Sequence, residues 1–587
     1  MRNSNLSNTF RKIFRYKWFW RTCLALLILF GAVAVIKIFF LESWLQKKVV
    51  NLVQEKSKGL YTLHIGHLDA SVLGGSITLD NLHLSPDFDL WQKRKEKKTP
   101  DLPAYLIKLK SSQLRISGLN YLHLLAGRPI KLNHISLKAP EIIHTQMARD
   151  STEDGRVLYQ KLSGPFKGFR VNGIQVTNGT FINRKFGEKG DKLKMMGVDL
   201  EIKDLQLDSA SFNHPKRFFY AQDVQFTAAS TKFLIPGGDY RLQTGAITFA
   251  TRKAEVTLDS IKIIPLYQPW AMARRKGQAV TTVKVSVPAA RLAQVNFPAF
   301  SRDSYIDIGQ IILESPSIDA YSDYKNFKAK GNQPLLHDMV QQVKTGITLK
   351  HSYVKNMYVK YKELDTKSAK PGLITLEKAF ITCTNISNDK NRISNKNPAI
   401  IKGQGLVMGK ASMRVNIRVN LLDKNGYHTV QGWIGKGDPQ ILNPILEPTV
   451  LLSVKSGFLQ KGSFQMQVFR NSATGTMQLY YQDFKVDLLS KSESTDQEPA
   501  TADKGDNKKQ SFGKKVLSAI ANKVLIKSDN KPEKEIVKEP APENGLRVGK
   551  IKVTRRKERS IVTYWIDGLA SGVLSSIGMS SKLPQKK

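Results

Sequence analysis

Apolar residues alternate along most of the chain, but the alternation changes phase at recurring points. In "SVLGGSITLDNLHLSPD" (residues 71–87), Ile77 and Leu79 alternate, and Leu82 and Leu84 resume the pattern one position late. Successive side chains of a strand point to opposite faces, so a slip of one residue turns the apolar face to water. An extra residue in the strand restores the face. The pattern therefore predicts β-strands that contain bulges.

The first such stretch is predicted to be a hairpin that turns at Gly74 and Gly75, a favoured two-residue turn. In the predicted pairing, Val72 lies opposite Ile77, and Ala70 lies opposite Leu79. One extra residue in each strand then keeps all the apolar residues on one face. These extra residues are predicted near Gly66–His67 and near Asp80–Asn81.

The same slip recurs in segments that begin at Leu132, Val171, Ile202 and Ile308. Repeated bulges bend a sheet, so a long curled antiparallel sheet is expected over residues 42–489, with one concave apolar face. Helical periodicity is predicted after residue 42 and near Leu335. The candidate groove residues are Ile77, Leu79, Leu82, Leu84, Ile135, Leu137, Ile174, Val176, Ile311 and Leu313.

Residues 22–41 form an apolar run of twenty residues with one charge, Lys37. As a helix this run is about 30 Å long, the thickness of a bilayer core. Residues 1–21 are basic without an acidic residue, which favours a cytoplasmic N-terminus. A cleaved signal peptide is the alternative, but no small-residue cleavage site follows. The expected anchor residues are Trp18, Trp20, Leu24, Leu27, Leu29, Val33, Ile36, Phe39 and Trp44.

The last hundred residues change in character. Residues 490–545 are predicted to be polar linkers on either side of an amphipathic helix at 512–527, and residues 546–587 a final strand and a second amphipathic helix. These helices are expected either to pack on the sheet as end caps or to touch a second membrane or a partner. The apolar stripe of the second helix contains Trp565, Ile566, Leu569, Val573 and Ile577.

Charge and residue chemistry narrow the function. The 91 Lys and Arg residues exceed the 49 Asp and Glu residues and give a net charge of +42, which favours anionic surfaces. The densest basic cluster, Lys93 to Lys98, is interpreted as a solvated loop without specific nucleic-acid binding. Two cysteines offer no disulfide framework or Cys-based metal site, and the ten scattered histidines show no clear metal-ligand spacing. No catalytic, cofactor or metal site is expected, so an enzyme is not predicted.

Three features stand out: the anchor running into "YTLHIGHLDASVLGGSITLDNLHLSP", copies such as "IKLNHISLKAPEI", and the tail "RRKERSIVTYWIDGLASGVLSSIG". In these features the chain resembles the AsmA-like family of bacterial envelope proteins. The resemblance implies a bacterial inner-membrane protein with one span and a β-rich periplasmic body. It also implies a β-groove that shelters or passes phospholipid for outer-membrane lipid homeostasis. The alternative is a non-transport scaffold that affects envelope assembly or outer-membrane protein targeting. Other envelope proteins are possible partners.

Overall fold

The computed structural model describes a chain that is mainly β, as the sequence predicts. Two compact units are formed, one by Met1–Phe212 with Tyr220–Val224 and the other by Asn213–Phe219 with Gln225–Lys587. The predicted anchor lies outside the described residues apart from Ile28, and so does the predicted helix at 512–527. The structure describes residues 28, 42–71, 74–99, 102–119, 130–147, 158–161, 169–366, 368–489, 528–530 and 547–578.

Within the described residues, the first unit contains seven complete strands, and its helices lie before β1, between strands and after β7. The strands are β1 (Tyr61–Ser71), β2 (Ser76–Pro86), β3 (Tyr105–Ser117), β4 (Lys131–Lys138), β5 (Glu141–Gln146), β6 (Arg170–Lys185) and β7 (Leu193–Gln206). The helices are α1 (42–56), α2 (Phe88–Glu96), α3 (Leu158–Lys161) and α4 (Ser209–Asn213), whose last residue belongs to the second unit.

The second unit contains the remaining strands. They are β8 (Ala221–Leu234), which begins in the first unit, β9 (Tyr240–Thr244), β10 (Ile247–Ala250), β11 (Glu255–Pro265), β12 (Thr281–Val295), β13 (Tyr305–Glu314), β14 (Ser317–Asp323), β15 (Gly346–Leu364), β16 (Gly372–Ser387), β17 (Ala399–Val407), β18 (Ala411–Val419), β19 (His428–Ile434), β20 (Leu452–Val468), β21 (Ser472–Leu488) and β22 (Val548–Thr554). Its helices are α5 (Pro269–Lys276), α6 (Phe297–Asp303), α7 (Leu336–Gln341), α8 (Asn443–Val450) and α9 (Ile561–Ser576), with a 3-10 turn at Pro439–Leu442.

Most strand pairs are antiparallel, but the prediction of an antiparallel sheet is wrong at one place in each unit. Strands β4 and β5 run parallel to β6, and strands β13 and β14 run parallel to β15. The interruption falls at Ala139–Pro140 in the first case and at Ser315–Pro316 in the second. Both units therefore contain parallel as well as antiparallel strand pairs. The sequence pattern could not reveal this, because alternation of apolar residues does not encode strand direction.

The phase slip in the first hairpin occurs where the prediction placed it. Ile65 pairs with Leu82 and His67 pairs with Asp80, so Gly66 and Asn81 face each other without changing the register. Asn81 has a left-handed backbone with φ of 53°. One residue in this conformation changes which face the following side chains occupy, and the opposite strand slips at the same level. The apolar face therefore continues across the slip.

The predicted register of this hairpin is wrong by two residues. Ala70 pairs with Ile77 and Leu68 pairs with Leu79, so a four-residue connection joins Ser71 to Ser76. A shift of two leaves every side chain on its original face, so the apolar pattern cannot detect it. In the observed register position 75 requires glycine, since a Cβ there would lie 2.7 Å from the backbone oxygen of Leu119, just after β3.

Left-handed residues accompany the slips in both units. They occur within strands or between the two halves of an interrupted strand, with φ between 45° and 55°. Asparagine and aspartate tolerate this conformation best among non-glycine residues. Among the described residues these positions are Asn81, Ala139, Asn178, Asp204, Ser260, Gln294, Ser315, Asn356, Lys378 and Asp483.

The first part of the basic cluster Lys93 to Lys98 is helical, whereas the sequence analysis predicted a loop. Helix α2 extends through Glu96, and the Asp87 carboxylate caps it by accepting a hydrogen bond from the Leu90 backbone N–H at 2.8 Å. Trp91 is buried beneath it and its Nε1–H donates to the Pro103 carbonyl. The buried tryptophan fixes the helix, and the lysines occupy its solvent face.

The left-handed residues predict a specific response to mutation at Asn178, whose side chain is exposed and whose φ is 51°. Asn178→Val should lower the free energy of unfolding by about 1–2 kcal/mol, because a β-branched residue is strained in this region. Asn178→Gly should change it by less than about 0.5 kcal/mol. Thermal unfolding of the full chain measures both, and Thr177→Val is the control because Thr177 is also exposed. Equal effects of all three substitutions would contradict the strain argument.

Candidate functional site: rows of apolar residues across the sheet

In the first unit, cross-strand pairing aligns the predicted groove residues into rows on one face of the sheet. One row contains Ala70, Ile77, Ile116, Ile135, Ile174 and Ile202. The next contains Leu68, Leu79, Leu114, Leu137, Val176 and Leu200. A third contains Leu63, Leu84, Leu109, Ile142, Phe181 and Met195. Leu82 lies between the second and third rows and is buried.

Burial changes along these rows. Leu68 is 2% exposed and Leu79 is 9% exposed, because Leu45, Val49 and Val50 of α1 pack over them. Ile77 and Leu84 are half-buried. Further along the rows, four candidate residues are half-buried and belong to neither of the buried clusters described in this unit. These four are Ile135, Leu137, Ile174 and Val176.

Helix α1 also forms hydrogen bonds with backbone groups on the outer edge of β1. The Gln46 side-chain amide donates to the Ile65 carbonyl at 2.8 Å, and the Glu42 carboxylate accepts from the Ala70 backbone N–H at 3.2 Å. An edge strand otherwise presents unpaired backbone groups. The helix therefore covers both the apolar face and the edge at this end of the sheet.

Comparable rows cross the second unit. One contains Leu258, Ala290, Leu313, Val354, Ile381, Gly403, Val415, Gly432, Phe464 and Met477. The other contains Val256, Leu292, Ile311, Ser352, Cys383, Ile401, Ile417, Val430 and Met466. The predicted residues Ile311 and Leu313 thus lie side by side in neighbouring rows.

Along these rows burial increases towards the C-terminal strands. Ile311, Leu313 and Val354 are half-buried and lie outside the described core cluster of this unit. Met466 and Met477 are each 1% exposed, because they pack under α9. The apolar rows are therefore filled by the chain's own side chains at this end and are incompletely covered at β13–β15.

Helix α9 packs on the sheet through its small residues. A Cβ on Gly568 would lie 2.7 Å from the Met466 sulfur, and a Cβ on Gly572 would lie 2.8 Å from Ile551 Cγ1. Tyr564 is 1% exposed and donates to the Phe469 carbonyl at 3.2 Å. The G-x-x-x-G sequence therefore serves close packing of a helix on a sheet.

Two serines of α9 form hydrogen bonds with backbone groups on the outer edge of β22. The Ser575 hydroxyl accepts from the Lys550 backbone N–H at 2.8 Å, and the Ser571 hydroxyl accepts from the Lys552 backbone N–H at 3.1 Å. Ser571 also donates to the Lys552 carbonyl at 3.1 Å. The end of this sheet is covered on its edge and on its apolar face by one helix.

The predicted stripe of α9 divides between core and solvent. Trp565, Leu569 and Val573 pack partly against the core cluster, and Ile577 is 2% exposed. Ile566 is 47% exposed, contrary to the expectation that one stripe shares one environment. The stripe is displaced because the glycines and serines, which carry little hydrophobicity, form the contact face.

Charged contacts hold the start of α9, which the sequence analysis missed. Asp567 is buried and accepts two hydrogen bonds from Arg556, at 2.7 and 3.0 Å. Arg559 lies 3.5 Å from the Glu363 carboxylate and stacks 3.1 Å from the centre of the Tyr324 ring. Arginine between a carboxylate and an aromatic ring makes a well-oriented pair. The spacing of charges in "RRKERS" gave no signal for these distant partners.

A buried pair of histidines lies beneath α9. His428 is 1% exposed, and its Nδ1 donates to the Gly426 carbonyl at 2.9 Å. Its Nε2 accepts from the Trp565 indole N–H at 2.9 Å, which requires a neutral ring. Burial lowers the pKa of His428 to about 4 and also lowers the pKa of His337, whose ring centre is 5.7 Å away. The hydrogen bond that Trp565 of α9 donates therefore forms only when His428 is neutral.

Basic residues that neighbour row residues along a strand lie on the face opposite the rows. Arg115 lies between Leu114 and Ile116, and Arg291 lies between Ala290 and Leu292, so alternation directs both to that face. The positive charge and the apolar rows thus occupy different faces of the same strands.

Comparisons with known proteins add no assignment. No protein-family model matches the chain, and no curated protein is significantly similar to it. Within the described residues, no helix combines the length and apolar composition needed to cross a bilayer, and no three His, Cys, Asp or Glu side chains cluster as a metal site. Trp44 is 54% exposed on α1, and the other predicted anchor residues lie outside the described residues.

The histidine pair predicts that α9 loosens in acid. A histidine whose pKa is lower in the folded protein than its ordinary 6.5 binds fewer protons when folded. Its contribution to stability is therefore complete above pH 6.5 and falls as the pH drops towards 4. Hydrogen exchange of α9 amides, corrected for intrinsic rates, should show falling protection over this range. His428→Gln should weaken this pH dependence, and unchanged dependence in this variant would assign it to other groups.

Proposed function

We propose that the chain is a single-span protein of the bacterial inner membrane that shelters or passes phospholipid along its apolar rows in the periplasm. The observation that carries this proposal is the incomplete cover of Leu137, Val176 and Leu313. These side chains lie on continuous apolar rows. An acyl chain laid on the rows completes their burial.

The energetic reason is the cost of exposing acyl chains to water. Each buried CH2 contributes about 0.8 kcal/mol, so a sixteen-carbon tail contributes on the order of 12 kcal/mol. A row of half-buried aliphatic side chains offsets part of this cost at every step. Because the rows consist mainly of apolar side chains and contain no charged residue, a lipid moves along them without a single tight site.

The bends at the left-handed residues support a curled sheet, since each bulge raises the local twist. In this proposal the apolar rows line the concave side and form a β-groove like that of the AsmA-like proteins. The predicted anchor at residues 22–41 holds the groove at the membrane that supplies the lipid, with residues 1–21 in the cytoplasm.

A non-transport scaffold is the second candidate, and a specific observation favours it. The rows are fully packed by the protein's own residues under α9, where Met466 and Met477 are buried. A scaffold for envelope assembly needs no more than such a closed sheet. The two functions differ in whether lipid reaches the half-buried parts of the rows.

Site-specific photocrosslinking distinguishes these functions. A benzophenone amino acid at Val176 or Leu313, in the full chain expressed in a bacterial envelope, should form adducts with phospholipid that mass spectrometry identifies. The matched controls are Thr177 and Glu314, the neighbouring positions on the opposite face. Lipid is expected at the first pair of positions and not at the second.

Equal labelling at all four positions would indicate non-specific contact with membrane and would contradict the groove. Absence of adducts at Val176 and Leu313, in protein that retains the wild-type thermal unfolding midpoint, would favour the scaffold.

A further inference from the structure

A concave cleft of about 630 Å³ lies on the opposite face of the second unit, away from the apolar rows. Its floor is a row of directly paired residues on five adjacent strands. The register pairs Gln404 with Arg414, Arg414 with Trp433, Trp433 with Ser463, and Ser463 with Gln478. One row therefore presents an amide, a guanidinium, an indole, a hydroxyl and a second amide to the same space.

The exposure of Trp433 is unusual for its surroundings. Its side chain is 52% exposed, whereas the next residue, Ile434, packs against the core cluster on the other face. About half of this large aromatic side chain therefore remains in contact with water in the free protein. Ligand-binding clefts combine aromatic and apolar side chains with placed polar groups.

Three cations border the cleft without a carboxylate to neutralise them. Within the described residues, Lys378, Arg414 and Lys461 make no ion pair shorter than 4.0 Å. Lys461 lies 4.4 Å from the centre of the Tyr480 ring, which holds its charge at one end of the cleft. The neighbouring Glu377 carboxylate accepts a hydrogen bond from the Thr375 hydroxyl at 2.8 Å and does not line the cleft.

We propose that this cleft binds a phosphate-bearing sugar. Arg414 and the two lysines supply the charge-assisted hydrogen bonds that a phosphate requires. Gln404, Gln478 and Ser463 supply donors and acceptors for ring hydroxyls. Trp433 packs on the apolar C–H face of the ring. The volume lies within the range of about 300–1,000 Å³ typical of small-molecule sites.

The combination distinguishes this ligand from simpler anions. Inorganic phosphate uses the cations and leaves Trp433 exposed, and a neutral sugar leaves the three cations without a partner. A flat membrane surface does not enter a concave cleft. A sugar phosphate uses all the groups together. The proposal concerns the face opposite the apolar rows and does not depend on lipid transport.

Isothermal titration calorimetry of the full chain in phosphatidylcholine nanodiscs tests the proposal, with glucose 1-phosphate as the probe. Binding should be saturable and at least tenfold tighter than that of glucose or of inorganic phosphate. Arg414→Ala and Trp433→Ala should each weaken it at least tenfold. The matched control is Arg418→Ala, because Arg418 lies on the same strand and face but outside the cleft.

Three results would overturn the proposal. If Arg418→Ala weakens binding as much as Arg414→Ala, the attraction is diffuse charge. If inorganic phosphate binds as tightly as glucose 1-phosphate, the cleft does not recognise the sugar. If glucose 1-phosphate shows no saturable binding, the cleft does not take a sugar phosphate. If the chain then binds added vesicles of phosphatidylglycerol, the face binds membrane instead. Unchanged thermal unfolding midpoints of the variants exclude misfolding as the cause.

Discussion

A left-handed residue within a strand changes the face on which all later side chains lie, and the structure depends on how this change is shared between strands. At Gly66 and Asn81 both partners slip at the same level, so the register on either side stays constant. The apolar face passes through the bend unbroken. If one strand slipped alone, its apolar residues beyond the bend would point to solvent.

This shared slip keeps the apolar rows of each unit continuous across the left-handed residues. In each unit the rows are deeply buried where a terminal helix packs, under α1 in the first unit and under α9 in the second. They are half-buried elsewhere, as at Val176 and Leu313. Helices that covered the whole length would fill the surface on which the proposed function depends. In each unit, therefore, one helix covers part of the rows, and other strands of the same rows keep half-buried apolar side chains.

The sequence predicted the parts of this arrangement that follow from side-chain alternation. It identified the slip near Asn81 and the faces of Ile135, Ile174 and Leu313, because period-two burial leaves a local signal. It missed the parallel pairs and the two-residue shift of the hairpin, because neither changes the face of any side chain. It also missed the cleft around Trp433. That row assembles residues from five strands, and no local spacing reports such a juxtaposition.

The serines of α9 and the polar side chains of α1 have a consequence for self-association. They occupy backbone groups on the free sides of β22 and β1 with hydrogen bonds from within the chain. A second copy cannot add its own strand there without displacing them. Long sheets with open borders tend to grow into fibres. These few contacts protect β1 and β22 against such pairing, without the positive charge having to provide that protection.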